Sequence, residues 1–508
     1  MTSRILIFIV AYNHEKEIRG VLSRIPEKLK AFDTEVLVID DASQDDTFGA
    51  ANDHSDGGDY QFKLTVLHNP TNQGYGGNQK IGFRYAIDNG FDVVALVHGD
   101  GQYAPENLPE LLRPALDGQA DAVFGSRMLI KGDALKGGMP FYKFVGNKIL
   151  TTFQNFILRS DLSEFHSGYR IYRTAALAKI PFHLNTSDFH FDTEIIIQLI
   201  LGGFKIQELP IPTYYGDEIC CVNGLRYAKD VFWTTGHIPL QKIGLIYQRK
   251  FDLAESKHNE EIYESKLSFD SSHSRVLDMI PNNVRVLDIG CSSGVIAEAL
   301  TAKGCRVTGL DYVPAKNEDN FEDFHVVDLD ANALPVDPSE FDYVLLLDII
   351  EHLKKPESFV EMLYRSLGRA PETRVIVTTG NIAFLVIRAM LAIGKFNYGP
   401  RGILDLTHTR LFTFKTLRQL FHQRGFDILD AKGIPAPYPL AIGLNGLSRL
   451  FIAINRLLIF ISKGLWSYQM LYCLKSRPSL EWLLEEAHKS SRQKIEDRGT
   501  PTNSRDKT

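Results

Sequence analysis

The first clues are absences. The five cysteines, Cys220, Cys221, Cys291, Cys305 and Cys473, form no C-x-x-C pair and no disulfide framework. Their scatter fits a reducing compartment. No stretch reaches about 18 uninterrupted apolar residues, so no ordinary transmembrane helix is expected. The early apolar run Ile5–Val10 is too short for a signal-peptide core and reads as a first strand. Positive charge is not in excess: 56 Lys and Arg against 62 Asp and Glu leave a formal charge of −6, which gives no reason to expect nucleic acid as a partner. There is no internal repeat.

What is present is a long, ordinary globular composition, 508 residues with 44% apolar and 23% charged. That length exceeds one hydrophobic core, so two or three domains are expected. Short β-branched runs alternate with helical patterns over residues 4–245. Ile5–Val10, Glu35–Ile39, Leu64–His68, Val93–His98 and Ala122–Gly125 read as strands of a helix-covered parallel sheet. A charged, weakly periodic stretch follows, which places a boundary near 250–262. The alternation then restarts with Arg285–Ile289, Arg306–Leu310, His325–Val327, Tyr343–Leu347 and Arg374–Thr378. The expected organisation is 1–248, a linker with a first helix over 249–275, a second domain over 276–488, and a disordered tail over 489–508.

Two nucleotide-donor signatures stand out. In the first, Asp40 and Asp41 end a strand, where ligands bind in open α/β sheets. Asp100 and Gln102 follow the strand ending at His98. Side chains two apart on an extended segment point the same way, so this pair fits one oxygen-liking cation, Mg²⁺ or Mn²⁺, that polarises a departing diphosphate. Asp40-Asp41 alone also fits a turn and helix cap, and Asp100-Gly101-Gln102 alone a β-turn. Both at strand ends favour the site.

In the second, the strand Val286–Ile289 runs into Gly290-Cys291-Ser292-Ser293-Gly294 and a helix over Val295–Lys303. Glycines allow close backbone approach, and the helix start offers N–H groups to a carboxylate. Asp311 follows the next strand, placed for a ribose diol. A nicotinamide dinucleotide is disfavoured. The loop reads D-I-G-x-x-x-G, Asp288 lies inside it, and Asp328 and Asp348 arrive later at methyltransferase spacing.

These residues carry two family resemblances. Residues 4–245 resemble family-2 glycosyltransferases of the GT-A fold, especially the dolichol-phosphate mannose synthase branch. The matching segments are Val10-Ala11-Tyr12-Asn13-His14-Glu15, Asn72-Gln73-Gly74-Tyr75-Gly76-Gly77, Gly125-Ser126-Arg127, Ser167-Gly168-Tyr169-Arg170 and Asp192-Thr193-Glu194. The resemblance implies that Ala11, Tyr12, Asn13, Glu15, Asp40, Asp41 and Gly74 approach a UDP- or GDP-sugar, that Arg127 and Arg170 handle phosphate, and that Asp100 and Gln102 touch the metal. Val10, His14 and His98 depart from that pattern, His98 replacing the first acid of a D-x-D. A phosphate acceptor needs no general base, whereas a hydroxyl acceptor does, and Asp192 and Glu194 are then the candidates. Both also fit plain helix N-terminal acids.

Residues 260–480 resemble class I S-adenosylmethionine-dependent methyltransferases. Asp348-Ile349-Ile350-Glu351-His352-Leu353 and Thr407-His408-Thr409-Arg410 look like segments of the ubiquinone-biosynthesis O-methyltransferases. The resemblance implies cofactor contacts from Asp288, Gly290, Cys291, Gly294, Asp311, Asp328 and Asp348. His408 is a candidate catalytic base that deprotonates an acceptor hydroxyl, and Glu351-His352 is a candidate contact to the acceptor or a metal. Each histidine also fits a structural role.

The fold class expected is therefore α/β in two domains: a GT-A nucleotide-diphospho-sugar transferase fold, then a Rossmann-like methyltransferase fold with inserted apolar helices. These helices are Asn381–Lys395 and Leu444–Leu465. In the second, Leu447, Leu450, Phe451, Ile454, Leu457, Leu458, Ile461 and Leu465 share one face, opposite Asn445, Ser448, Arg449, Asn455, Arg456 and Lys463. It reads either as a cap with its apolar face on the core or as an interfacial membrane helix.

The expected activity is sugar transfer to a polyprenyl phosphate or lipid-linked glycan and methyl transfer to oxygen, in surface polysaccharide assembly. The setting is the cytoplasm, with peripheral contact on the membrane face as one reading. The alternatives are one decayed half kept as scaffold, or a nucleotide-sensing module without turnover.

Overall fold

A computed structural model describes residues 3–56, 60–213, 223–253, 266–292, 294–315, 317–331, 334–480, 482–484, 486–487 and 490. Cys220, Cys221, Ser293, most of the expected boundary zone 250–262 and nearly all of the expected tail lie outside them. The chain divides into two compact units, Met1–Ile238 with Gln248–Glu255, and Pro239–Tyr247 with Ser256–Thr508.

In the first unit, seven strands are β1 (Arg4–Ala11), β2 (Asp33–Asp40), β3 (Lys63–His68), β4 (Val93–His98), β5 (Ala122–Ser126), β6 (Arg170–Arg173) and β7 (Ile206–Pro210). Their order is β3-β2-β1-β4-β6-β5-β7. β1, β2 and β4 are β-branched and buried along nearly their whole length, as strands covered on both faces must be. The order reverses at β1 and β4. There the register aligns Ala11 with Asp40 and Val10 with His98, so Ala11, Asp40 and His98 end three neighbouring strands within one residue of each other.

The expected parallel sheet is in fact mixed. β6 runs antiparallel to both β4 and β5. Its four residues begin and end in arginine, which hides it from any hydrophobic-period reading.

The second unit repeats the plan with β8 (Arg285–Ile289), β9 (Arg306–Asp311), β10 (Asp323–Val326), β11 (Tyr343–Leu347), β12 (Arg374–Gly380), β13 (Phe426–Ile434) and β14 (Gln469–Ser476). The order is β10-β9-β8-β11-β12-β14-β13, and the two last strands, also unanticipated, pair antiparallel. The first inserted helix is shorter than expected, Leu385–Ala392, between β12 and β13. The second, Gly446–Ile461, lies between β13 and β14.

That second helix does not lay its apolar face on the core, as the cap reading expects. Its buried residues are Ser448, Ile452 and Asn455, while Leu450, Ile454, Leu457, Phe460 and Ile461 are exposed. The reason is a polar contact. The Asn455 side chain accepts from the Ala436 N–H at 2.9 Å and donates to the Trp466 carbonyl at 2.9 Å, satisfying two backbone groups that would otherwise be buried unpaired. A capping box of Asn445 with Ser448 starts the helix. Asn455→Leu should therefore destabilise the second unit by about 1–3 kcal/mol despite its greater hydrophobicity. Urea denaturation checks this, and a variant as stable as wild type would contradict the polar anchoring.

Candidate functional site

At the first switch point, two loops are cross-bonded. Asn13 and Ala42 adopt positive φ, 59° and 57°, which turns the chain sharply after β1 and β2. The Asn13 N–H donates to Ser43 Oγ at 2.8 Å, its Oδ1 accepts from the Gln44 N–H at 2.8 Å, and the Glu15 N–H donates to Asp45 at 3.1 Å. Tyr12 stands exposed beside them.

Asp40 and Asp41 are buried. The Asp40 carboxylate accepts from Ser43 and meets His68 Nδ1 at 2.8 Å. Asp41 accepts from Asn69 Nδ2 at 2.7 Å and from the Gln73 and Gly74 N–H groups at 2.8 and 3.0 Å. Both acids thus fold the loops rather than project from the strand ends. The cradle that they shape includes Gly74, at φ 78°, where an added Cβ would meet the Ser187 carbonyl oxygen at 2.6 Å.

Asp100 and Gln102 lie on a turn, not an extended segment, because Gly101 takes φ 72°. The turn closes with the Gln102 N–H on Asp100 Oδ1 at 3.0 Å. No cluster of three or more acidic, His or Cys ligands occurs among the described residues. One carboxylate with an amide oxygen nearby fits Mg²⁺ or Mn²⁺, which keep waters and substrate phosphates as their remaining ligands.

Behind this turn lies a network that the sequence did not reveal. Tyr75 Oη meets His98 Nε2 at 3.1 Å and donates to Asp192 Oδ2 at 2.9 Å. Gln79 Nε2 donates to Asp192 Oδ1 at 3.2 Å. Burial holds His98 below the usual imidazole range, so its ring stays neutral. Arg170, expected on phosphate, is instead enclosed. Its donors reach the Ser167, Phe165 and Asp192 carbonyls at 2.7, 2.9 and 3.1 Å, and its charge lies 3.6 Å from Asp192. Arg127 is gripped by the buried Glu164, which also accepts from the Arg127 N–H at 2.8 Å. Glu194 is fully buried, paired with Lys250 and accepting from the Thr186 N–H at 2.7 Å. Tyr75 was visible inside the Gly-rich segment. His166, whose Nδ1 meets Tyr227 Oη at 2.9 Å and which burial pushes down to about 4, carried no motif at all.

In the second unit the expected loop has the expected shape. Gly290, Ser292 and Gly294 take φ 79°, 48° and 78°. A Cβ on Gly290 would strike the Ile349 side chain at 2.7 Å. The Ser292 N–H donates to Asp311 Oδ2 at 2.7 Å, tying the loop to the end of β9. Cys291 is buried against the Leu310 carbonyl. Asp288 is fully buried, and burial, reinforced by the Asp311 charge, pushes it up to about 7. Asp328 is exposed on its own turn, accepting from the Asp330 N–H at 3.0 Å. Asp348, at φ 54°, accepts from Thr378 Oγ1 at 2.9 Å and Gln469 Nε2 at 2.8 Å.

Two distant segments then converge. The Thr409 and Arg410 N–H groups both donate to the Glu351 carbonyl, at 2.9 and 3.1 Å. The His352 and His408 rings meet edge-on with centroids 4.7 Å apart. His408 Nδ1 lies 3.0 Å from the Ile403 carbonyl, which can only accept. The proton is therefore on Nδ1 and a lone pair on Nε2. Thr407 donates to Asp405 at 2.7 Å, so His352 Nδ1, 3.1 Å away, must donate to Thr407. Burial holds His408 below its ordinary range, so it is neutral at pH 7.

The glycosyl transferase family 2 model matches residues 6–180, and a methyltransferase domain model matches residues 261–431. Polyprenol monophosphomannose synthase of Mycolicibacterium smegmatis is 30% identical over 211 residues, 41% of this chain and 77% of that protein. Undecaprenyl-phosphate mannosyltransferase of Micrococcus luteus is 30% identical over 214 residues, covering 41% and 82%. Ubiquinone biosynthesis O-methyltransferase of Pseudomonas entomophila is 31% identical over 105 residues, covering 19% and 44%. The first unit is a GT-A fold and the second a Rossmann-like methyltransferase fold. The chain belongs to glycosyl transferase family 2 and carries, on the same polypeptide, a methyltransferase domain. Within that family its N-terminal half is similar to the polyprenol-phosphate mannose synthases.

One pH dependence follows from the buried carboxyls. Burial, then the Asp348 charge, pushes Glu351 up to about 8 from an ordinary 4.5. The folded state therefore holds this proton more tightly than the unfolded chain. Its contribution to stability is full below the ordinary carboxylate range and is lost as pH rises toward 8. Glu351→Gln should flatten the decline of Tm between about pH 5 and pH 8. A slope equal to wild type would contradict this.

Proposed function

We propose that the first unit transfers a hexose from a UDP- or GDP-sugar to a polyprenyl phosphate, and that the second transfers a methyl group from S-adenosylmethionine to a hydroxyl oxygen of a sugar or related acceptor. The observation that carries the first half is the engagement of both acidic candidates. Asp192 is held by Tyr75, Gln79 and Arg170, and Glu194 by Lys250 and Thr186. A hydroxyl acceptor demands a proton acceptor at the reacting oxygen, whereas a phosphate arrives already ionised. The substrates named in the two mannosyltransferase relatives are of that class.

A divalent cation held by Asp100 with Gln102 would offset the charge that grows on the departing diphosphate. Gly74 and the loops anchored by Asp40 and Asp41 let backbone approach the donor, Tyr12 and Asn13 line its entry, and Arg127 is oriented by Glu164. Arg170 is a positioning residue through Asp192.

In the second unit, S-adenosylmethionine supplies an electrophilic methyl group. Gly290 and Gly294 clear space for it, and Asp311 shapes the loop while facing a ribose. His408 Nε2 takes the proton of the acceptor hydroxyl, and His352 stands beside it. The shared chain supports successive steps in surface polysaccharide assembly at the cytoplasmic membrane face.

With polyprenyl phosphate, labelled UDP- or GDP-hexose and Mn²⁺, wild type should form a lipid-linked sugar, and Asp100→Ala should lose roughly 100-fold or more of that rate. Equal transfer to the phosphate-free polyprenol would overturn the acceptor assignment. His408→Ala should slow methyl transfer by roughly 10²–10⁴ while S-adenosylhomocysteine binding is unchanged. An unchanged methylation rate removes His408 as base.

A further inference from the structure

We propose that the second unit docks on an anionic lipid bilayer through the helix Gly446–Ile461, lying in the interface rather than crossing it. The proposal does not depend on the identity of either acceptor. Its first basis is the packing of that helix. Ser448 and Asn455 face inward, and Leu457, Phe460 and Ile461 are 64%, 89% and 70% exposed, with Leu450 and Ile454 beside them. At 3.6 residues per turn these five share one continuous stripe. A soluble surface rarely leaves such a stripe uncovered.

The second basis is the junction of the two insertions. Phe384, Ile387, Ile403 and Leu404 from the first pack with Ala436, Ala441 and Tyr468 from the second in one small core. The first insertion adds its own exposed apolar residues, Leu391 in the last turn of the helix Leu385–Ala392 and Ile393 just past its end.

The third basis is charge. The chain as a whole carries −6, yet residues 381–404 and 431–480 contain no Asp or Glu. They contribute Arg388, Lys395, Arg401, Lys432, Arg449, Arg456, Lys463, Lys475 and Arg477, of which Lys432, Lys475 and Arg477 pair with Asp430, Glu372 and Asp427 just outside these stretches. On the helix, Arg449 and Arg456 border one edge of the apolar stripe, Arg456 also pairing with Asp270 at 2.6 Å. Apolar side chains in the centre with cations at the edge match a surface of acyl chains beneath anionic head groups. At 16 residues the helix is about 24 Å long. No helix among the described residues is long and apolar enough to cross a membrane.

The test is co-sedimentation of the full chain with vesicles of phosphatidylcholine, with and without phosphatidylglycerol. The comparison variants are Leu457→Glu/Phe460→Glu and Arg449→Gln, all at exposed positions. Wild type should partition at least tenfold more strongly onto the anionic vesicles, and less at high salt. The double glutamate variant should lose at least tenfold while keeping its Tm and S-adenosylhomocysteine binding. Arg449→Gln should weaken binding only to the anionic vesicles. Wild-type partition in the double variant would overturn the proposal. So would a wild type that ignores vesicles but sediments as a dimer that the double variant dissociates, since a second copy would then cover the stripe. A failed polyprenyl-phosphate assay leaves all these readouts intact, so the two ideas fail separately.

Discussion

Both units depend on one device: a carboxylate at or beside the end of a central strand that accepts N–H groups from a neighbouring loop. Asp41 gathers Asn69, Gln73 and Gly74, and Asp311 holds the Ser292 N–H. Without such an acceptor, turns at positive φ would leave several amide donors unpaired in a crowded place. With it, backbone curls tightly near the point where the strand order reverses. The acids that look from their spacing like ligand-binding groups are first of all the groups that make a binding shape available.

Behind each cradle the charges are arranged differently. In the first unit, buried ions are compensated: Arg170 by carbonyls and Asp192, Arg127 by Glu164, Glu194 by Lys250. In the second, Asp288 and Glu351 have no ion-pair partner among the described residues. Asp288 and Glu351 are pushed up to about 7 and 8 by desolvation, and Glu351 Oε2 has no hydrogen-bond partner among the described residues. The second unit presents two buried acids that hold their protons more tightly than usual and, in His408, an imidazole held neutral by burial, a setting suited to proton removal.

The sequence made the central strands legible because strands buried on both faces are unbroken apolar runs. It also showed the glycine turns, because only glycine fits where Gly74 and Gly290 stand. The antiparallel strands β6, β13 and β14 escaped notice: β6 is four residues flanked by arginine, and the other two mix charge with apolar residues. The family resemblance put Arg170 and Glu194 in the site, but a motif cannot tell a charge that faces a ligand from one enclosed by carbonyls or a lysine. The sequence leaves the orientation of the helix Gly446–Ile461 open between two readings for a related reason. Amphipathicity assigns the polar face to water, whereas here Asn455 is needed inside by two backbone groups.

The central claim is that one polypeptide holds two working donor sites. Isothermal titration of the full chain with UDP, GDP and S-adenosylhomocysteine, each with and without Mn²⁺, tests it most directly. The account predicts that one of the two nucleotides binds only with the metal and that S-adenosylhomocysteine binds regardless of it. Tight S-adenosylhomocysteine binding with neither nucleotide binding in the presence of Mn²⁺ would contradict it, and would leave the first unit as a scaffold for a methyltransferase.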